Sequence, residues 1–201
     1  MQAKRPRISN EDRSQAMRRA LLEAGRALFV AKSYTETSTP DIVAAAGVTR
    51  GALYHHFEDK KALFQAVVEA EAEAVARSID EVSDGELTAI GALIKGGEAF
   101  VTAMTEPGRT RLLLLDGPAV LGPAAMRAID ERHARKQLRE GIEAAIASGA
   151  LPALPAGALT AQLSAAFDAA ALGIEMGDAI ADHRAALHGL IEGLAGSPAE
   201  R

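Results

Sequence analysis

Apolar residues in this chain recur at intervals of three and four and never alternate over a strand-length stretch, so the pattern predicts helices throughout. Met17, Leu21, Ala24 and Leu28 repeat at four, three and four, one face of a first helix. Ser9 and Asp12 stand at capping-box spacing at its start, and Lys32 suits its C-terminal end. Thr39 as cap and Pro40 in the first turn open a short second helix carrying Ile42, Val43 and Ala46, which Gly47 stops in a left-handed conformation. Thr49 caps another short helix through His55, and Asp59 opens a long one through Leu63, Val67 and Val75 to about Val82. Beyond it the pattern predicts helices over 86–105 (with Leu87, Ile90, Leu93 and Ile94 apolar), 109–116, 124–147, 156–180 and 183–194. Pro107-Gly108, the stretch 117–123, and the segment between Gly149 and Pro155 are read as breaks or loops.

Composition agrees: 48% of residues are hydrophobic and only 3% aromatic, enough for a core but poor in strand formers. The chain has no cysteine, which excludes disulfides, thiolate metal sites and a cysteine nucleophile. No apolar run approaches the roughly 20 residues of a membrane span, and the basic start MQAKRPRISNEDRS has no apolar segment after it. A cytoplasmic protein without membrane contact is therefore expected. The net charge of −5 hides an asymmetry. Residues 1–61 hold 11 Lys/Arg against 7 Asp/Glu, a balance of +4, and the remainder 11 against 20, a balance of −9. A basic N-terminal third on an acidic body suits a chain that meets phosphate at one end only.

The expected architecture is all-α: a basic arm (1–12), a three-helix unit with a helix-turn-helix (13–60), a linking helix (61–82) and a larger helical domain (83–201). The informative run is TPDIVAAAGVTRGALYHHFEDKK, residues 39–61. Two helices too short to be stable alone are joined at Gly47, with Ile42, Ala46, Val48 and Leu53 inward. Packed on the first helix, such a pair displays its last helix as a reader of the major groove. Thr49 and the free N–H groups of that helix start can hold a phosphate, and Arg50 can reach a guanine edge or a phosphate. Gly51 lets the backbone approach, and Tyr54 and His55 lie at an exposed end.

In order, Ile42, Ala46-Gly47-Val48, Thr49, Gly51-Ala52, Leu53-Tyr54-His55-His56-Phe57 and Lys60 resemble the signature of the TetR family of bacterial regulators, over about residues 13–70. The resemblance implies a dimeric repressor of transcription that binds double-stranded operator DNA and is released from it by a small-molecule ligand. Its DNA-contacting set here would be Thr39, Thr49, Arg50, Gly51, Leu53, Tyr54, His55, His56 and Lys60, with Lys60 the phosphate-binding lysine. Leu53 and Phe57 also fit the core, and Lys4, Arg5 and Arg7 of the arm could enter a minor groove. Three positions depart from the family pattern: Ser33 where a glycine usually ends the first helix, Val43 for an alanine, and Pro40 for a polar or basic residue.

The resemblance also implies a helical ligand-binding and dimerisation domain beyond residue 83. Stripes of Leu163, Phe167, Ala170 and Ile174, and of Leu187, Leu190, Ile191 and Leu194, are candidate dimer contacts in a four-helix bundle. Phe100, Met104, Met126, His133, Phe167 and Met176 are candidates to line a pocket for a small apolar or amphipathic ligand. Asp130 and His133 share a helix face at metal-ligand spacing with no third ligand evident, so no metal and no cofactor is expected. No nucleophile motif, phosphate loop or acid/base pair points to an enzyme. The competing readings are a small-molecule-binding helical protein or an activator with a diverged DNA-binding domain, and a helical module that binds only protein.

Overall fold

The computed structural model describes residues 9–83 and 88–196 and divides into two units, one running to Val68 and the other from Glu69. Among the described residues there is no strand. The proposed arm residues Lys4, Arg5 and Arg7, and Leu87 with the expected helix start at 86, lie outside them.

In the N-terminal unit, α1 (Asn10–Glu36) begins as predicted, with Ser9 and Asp12 closing a capping box. Its buried face is Leu21, Ala24, Gly25 and Phe29; Phe29, one residue on from the expected Leu28, carries the end of the stripe. The regular helix breaks at Ser33, whose φ of 79° and ψ of 166° fall in a region that is essentially glycine territory. The chain then makes one more turn. Ser33 Oγ accepts the Glu36 N–H (3.5 Å), and the Thr37 hydroxyl donates to Ser33 O (2.7 Å), so the strained position is tied from both sides. Phe29, Tyr34 and Phe64 form an aromatic cluster around this turn, with centroids 5.0–5.9 Å apart.

Helix α2 (Thr39–Ala46) is capped by Ser38, not Thr39: Ser38 and Asp41 close a second capping box, and Thr39 and Pro40 occupy the first turn. Gly47 is left-handed (φ 65°, ψ 30°), and the Val48 N–H reaches back to Val43 O at 3.0 Å. Helix α3 (Arg50–His56) starts at Thr49, whose Oγ1 accepts the Ala52 N–H (3.2 Å), and buries Leu53. Helix α4 (Lys60–Ser83) opens with Asp59 accepting the Ala62 N–H (2.7 Å), and it contributes to both units.

The C-terminal unit contains the rest of α4, α5 (Ala89–Met104), a π-helical turn (Arg111–Asp116), α6 (Gly117–Leu121), α7 (Pro123–Asp130), α8 (Ala134–Ala147), α9 (Ala156–Glu175) and α10 (Ile180–Gly196). Several predicted boundaries move, among them the start of the last helix, at Ile180 and not at 183. The expected loop at 117–123 is helical up to Gly122, because the π turn runs straight into α6. This junction needs Gly117: a Cβ there would lie 2.8 Å from both Leu112 O and Met126 Sδ. The expected single helix 124–147 splits at residues 131–133, where His133 leaves the helical region (φ −124°, ψ −123°). The expected helix 156–180 ends at Glu175, and Gly177 (φ 108°) turns the chain into α10. A buried pair, Arg109 Nε to Glu71 Oε2 at 2.8 Å, ties the start of the π segment to α4.

The stripes expected to meet a partner pack inside this chain instead. Leu163, Phe167, Ala170, Leu187 and Ile191 are buried in one core with Leu93, Val101 and Ile142, and Ile174 and Leu194 pack half-buried against it. These are the large side chains of α9 and α10, and the nearest apolar surface is α5 and α8 of their own unit. Of the predicted set only Leu190, 52% exposed, faces outward. Helix α9 is long and apolar enough by length and composition to cross a membrane, which corrects the reading that no segment qualifies. Its apolar stripe is the one buried in this core, and Asp168 sits in its middle.

Candidate nucleic-acid interface and ligand cavities

The first turn of α3 presents backbone and polar side chains together. Thr49 as N-cap leaves the helix start open, and Arg50 and Gly51 are exposed on it, so no side chain shields the backbone at Gly51. Tyr54, one turn on, is 43% exposed and His55 is exposed beside it. Arg50 lies over the Tyr54 ring (5.5 Å) with Nη2 3.5 Å from the phenol oxygen. Hydrogen bonds from Arg50 first and Thr39 second hold the Tyr54 phenol below its usual pKa. Thr39, Arg50 and Tyr54 thus form one polar group on the surface of α2 and α3. His56 is half-buried, and desolvation, then His55 and Arg18, lower its pKa, so at neutral pH it is an uncharged imidazole with one N–H to give.

Two predicted contacts change role. Leu53 is wholly buried and belongs to the core, where it positions α3 and cannot meet DNA. Lys60 points into its own unit. Its Nζ donates to Tyr34 O (2.9 Å) and Thr37 O (2.8 Å) and sits 4.2 Å from the centre of the Tyr34 ring. It clamps the turn that follows the strained Ser33, so its charge is largely spent on backbone carbonyls. Ser38 and Thr37, which frame that turn, were not singled out from sequence; Ser38-x-x-Asp41 at capping-box spacing was the available signal.

The C-terminal unit holds two cavities of about 310 and 350 Å³ that share Phe100, Asp130, Ala134 and Asp168. Of the residues predicted from sequence, Phe100 lines both, Phe167 the first, and Met104, Met126 and His133 the second. Met176 does not: it is 81% exposed at the end of α9. His133 is held by Glu69 (Nε2–Oε1 2.7 Å), which also takes Arg132, and among the described residues it joins no cluster that would hold a metal. Asp168 was missed. Burial, with Asp130 nearby, raises its pKa to about 6. Its signal was present in the sequence: it is the one charged residue of α9 before Glu175.

A family model described as bacterial regulatory proteins, tetR family, matches residues 21–67, and one described as the tetracyclin repressor-like C-terminal domain matches residues 90–196. A crystallised TetR-family transcriptional regulator from Pectobacterium atrosepticum is 30% identical, with a TM-score of 0.74 over 94% of this chain and 100% of that one. The chain belongs to the TetR family.

Two curated relatives match over shorter stretches. The HTH-type transcriptional repressor Rv1474c of Mycobacterium tuberculosis is 38% identical over 35% of this chain and 37% of its own length. The HTH-type transcriptional repressor BepR of Brucella suis is 41% identical over 25% of this chain and 24% of its own. The chain therefore spans well under half the length of the curated relatives it matches. The all-α TetR-family fold expected from sequence is the one found, with the helix-turn-helix in α2 and α3 and a helical C-terminal domain.

Proposed function

We propose that this TetR-family chain is a cytoplasmic, sequence-specific regulator of transcription, a repressor that binds operator DNA as a homodimer and leaves it when a small apolar or amphipathic ligand binds the C-terminal unit. The observation that carries the DNA reading is the first turn of α3: an open helix start capped by Thr49, with Arg50 and Gly51 exposed and Tyr54 and His55 alongside. A helix N-terminus attracts phosphate, and an arginine beside it can address a base edge bidentately. Thr39 and Tyr54 add polar hydrogens at the same surface, and His56 adds a neutral one.

The homodimer uses the outward side of α9 and α10, not the stripe expected from sequence. That side carries Ala158, Gln162, Ala165 and Ala169 on α9, and Ala186, Gly189, Leu190 and Gly193 on α10, all exposed. Within the chain a Cβ at Gly189 or Gly193 would meet nothing, so packing here gives no reason for residues that each weaken a helix by about 1 kcal/mol relative to alanine. Close approach of a second pair of helices supplies the reason. Gly193→Leu should yield a folded monomer by sedimentation at concentrations where the parent chain dimerises; an unchanged dimer would move the interface elsewhere.

The ligand reading rests on the two cavities, whose walls are mostly apolar with a few polar groups, as binding pockets are. Selection from random-sequence duplexes tests the whole proposal. It should return a preferred site with two symmetric half-sites, as a two-fold dimer requires. A pool with no preferred sequence would rule the regulator reading out. A reporter driven through the selected site separates repression from activation by the sign of its response.

A further inference from the structure

Unsatisfied acceptors stand on the first cavity's wall beside one donor, Arg135 Nε, which makes no well-directed hydrogen bond although it lies 3.0 Å from Glu131 Oε1. Asp168 lines both cavities, half-buried, and makes no hydrogen bond among the described residues; the charges that act on it are Asp130 and, in the opposite sense, Arg135. Gln137 spends its amide N–H groups on Ala76 O (3.0 Å) and Asp80 Oδ1 (2.5 Å), which leaves Oε1 buried without a partner. The charges facing this cavity are Asp80, Asp130, Glu140 and Asp168 against a single cation, Arg135. Arg135 is already engaged by Glu131 (3.0 Å) and Asp130 (3.7 Å). An anionic ligand would enter a field of its own sign, and a purely apolar one would cover the half-buried Asp168 carboxylate without pairing it; both are unfavourable.

We propose that the first cavity binds a lipophilic organic cation, a protonated amine whose nitrogen pairs with the Asp168 carboxylate and donates to Gln137 Oε1, while its apolar body lies against Leu93, Phe100 and Phe167. This rests on the ligand-responsive reading above and narrows its ligand class. The cavity of about 310 Å³ suits a chain or ring system of drug size with one charged end. Charge recognition comes from the carboxylate, and the apolar wall supplies area without direction. A neutral donor such as an alcohol can meet one acceptor but brings no charge to the other.

Three probes of equal length separate these terms: decylamine, 1-decanol and decanoate, each titrated calorimetrically into the full chain at pH 7.5 below its micelle concentration. Decylamine should bind at least about tenfold more tightly than 1-decanol, and decanoate most weakly. Asp168→Asn should erase the preference for the amine and keep 1-decanol binding within about threefold. Equal or better binding of the alcohol or the acid, no binding of decylamine, or a preference that survives Asp168→Asn would overturn the proposal. The ranking on the unaltered chain decides the matter even if the variant does not fold. Adding the same probes to the protein–DNA complex separates this inference from the regulator reading. Release by the alcohol or the acid alone overturns the cation assignment and leaves a ligand-released regulator standing. Tight, Asp168-dependent amine binding by a chain that selects no DNA upholds the cavity assignment and removes the regulator.

Discussion

In the N-terminal unit the groups offered to a partner stand outside, along the short helix α3: Arg50 and Gly51 in its first turn, Tyr54 and His55 one turn on, all exposed. In the C-terminal unit the group argued to meet a partner, Asp168, is inside, where desolvation already raises its pKa to about 6. The first surface carries little conformational cost, because caps and a left-handed glycine fix it locally. The second is held at a cost to the ligand-free fold. A half-buried carboxylate without a hydrogen bond is unfavourable to the ligand-free fold, and a ligand that pairs with it would offset that cost.

The largest effect that tests this contrast is on the fold beneath the outer surface. Leu53→Ala should destabilise the chain by about 2–5 kcal/mol, since it empties a fully buried site under α3. DNA affinity should then fall only as the population of folded protein falls, which denaturation and binding measured on the same sample can separate. Next comes Lys60→Met, which keeps the stem over Tyr34 and removes two charged hydrogen bonds to Tyr34 O and Thr37 O. A loss of about 1–3 kcal/mol is expected; an unchanged melting temperature with weakened DNA binding would return Lys60 to the phosphate-contacting role expected from sequence.

Asp168→Asn should move stability the other way. The folded pKa of about 6 lies above the ordinary 3.8, with Asp130 raising it and Arg135 lowering it as secondary influences after burial. The stability that the protonated acid allows is therefore full below about pH 4 and is lost as pH rises through 6. The asparagine variant should gain on the order of 1–3 kcal/mol over the parent at pH 7, and the gain should vanish near pH 4. A destabilised variant at pH 7 would show that Asp168 is instead satisfied in the folded chain. The smallest effect is at Ser33. Ser33→Gly relieves a backbone region that costs about 1–3 kcal/mol for a side chain but gives up the bond from Glu36 N–H. A net gain of about 1 kcal/mol is expected by thermal melting.

The two units also differ in how far sequence discloses them, for the same physical reason. Ser9, Gly47, Thr49 and Asp59 act on backbone groups within a few residues of themselves, so their spacing is enough to place α1, the turn, α3 and α4. Even there, the direction of Lys60 was not legible, because its partners Tyr34 and Thr37 are distant in sequence and are reached only once α1 breaks at Ser33. In the C-terminal unit tertiary packing decides. The stripe Leu163–Phe167–Ala170 announces a buried face but not whose surface covers it, and α5 and α8 of the same chain do so. Five of six pocket residues were legible as apolar or polarisable side chains, and Met176 failed because α9 ends just before it. The π turn, with Gly117 seated against Leu112 and Met126, left no local pattern beyond its two flanking prolines.

The central claim is that α3 reads DNA through its exposed first turn. Its most direct test is a salt titration of the selected duplex with the parent chain and Arg50→Ala. For the parent, log affinity should fall steeply and linearly with log salt as phosphate-bound cations are released. Arg50→Ala should bind at least about tenfold more weakly with an unchanged melting temperature, since Arg50 is exposed and, among the described residues, its side chain contacts Tyr54 on the same helix. Equal affinity of the two proteins, or binding that does not respond to salt, would contradict the account.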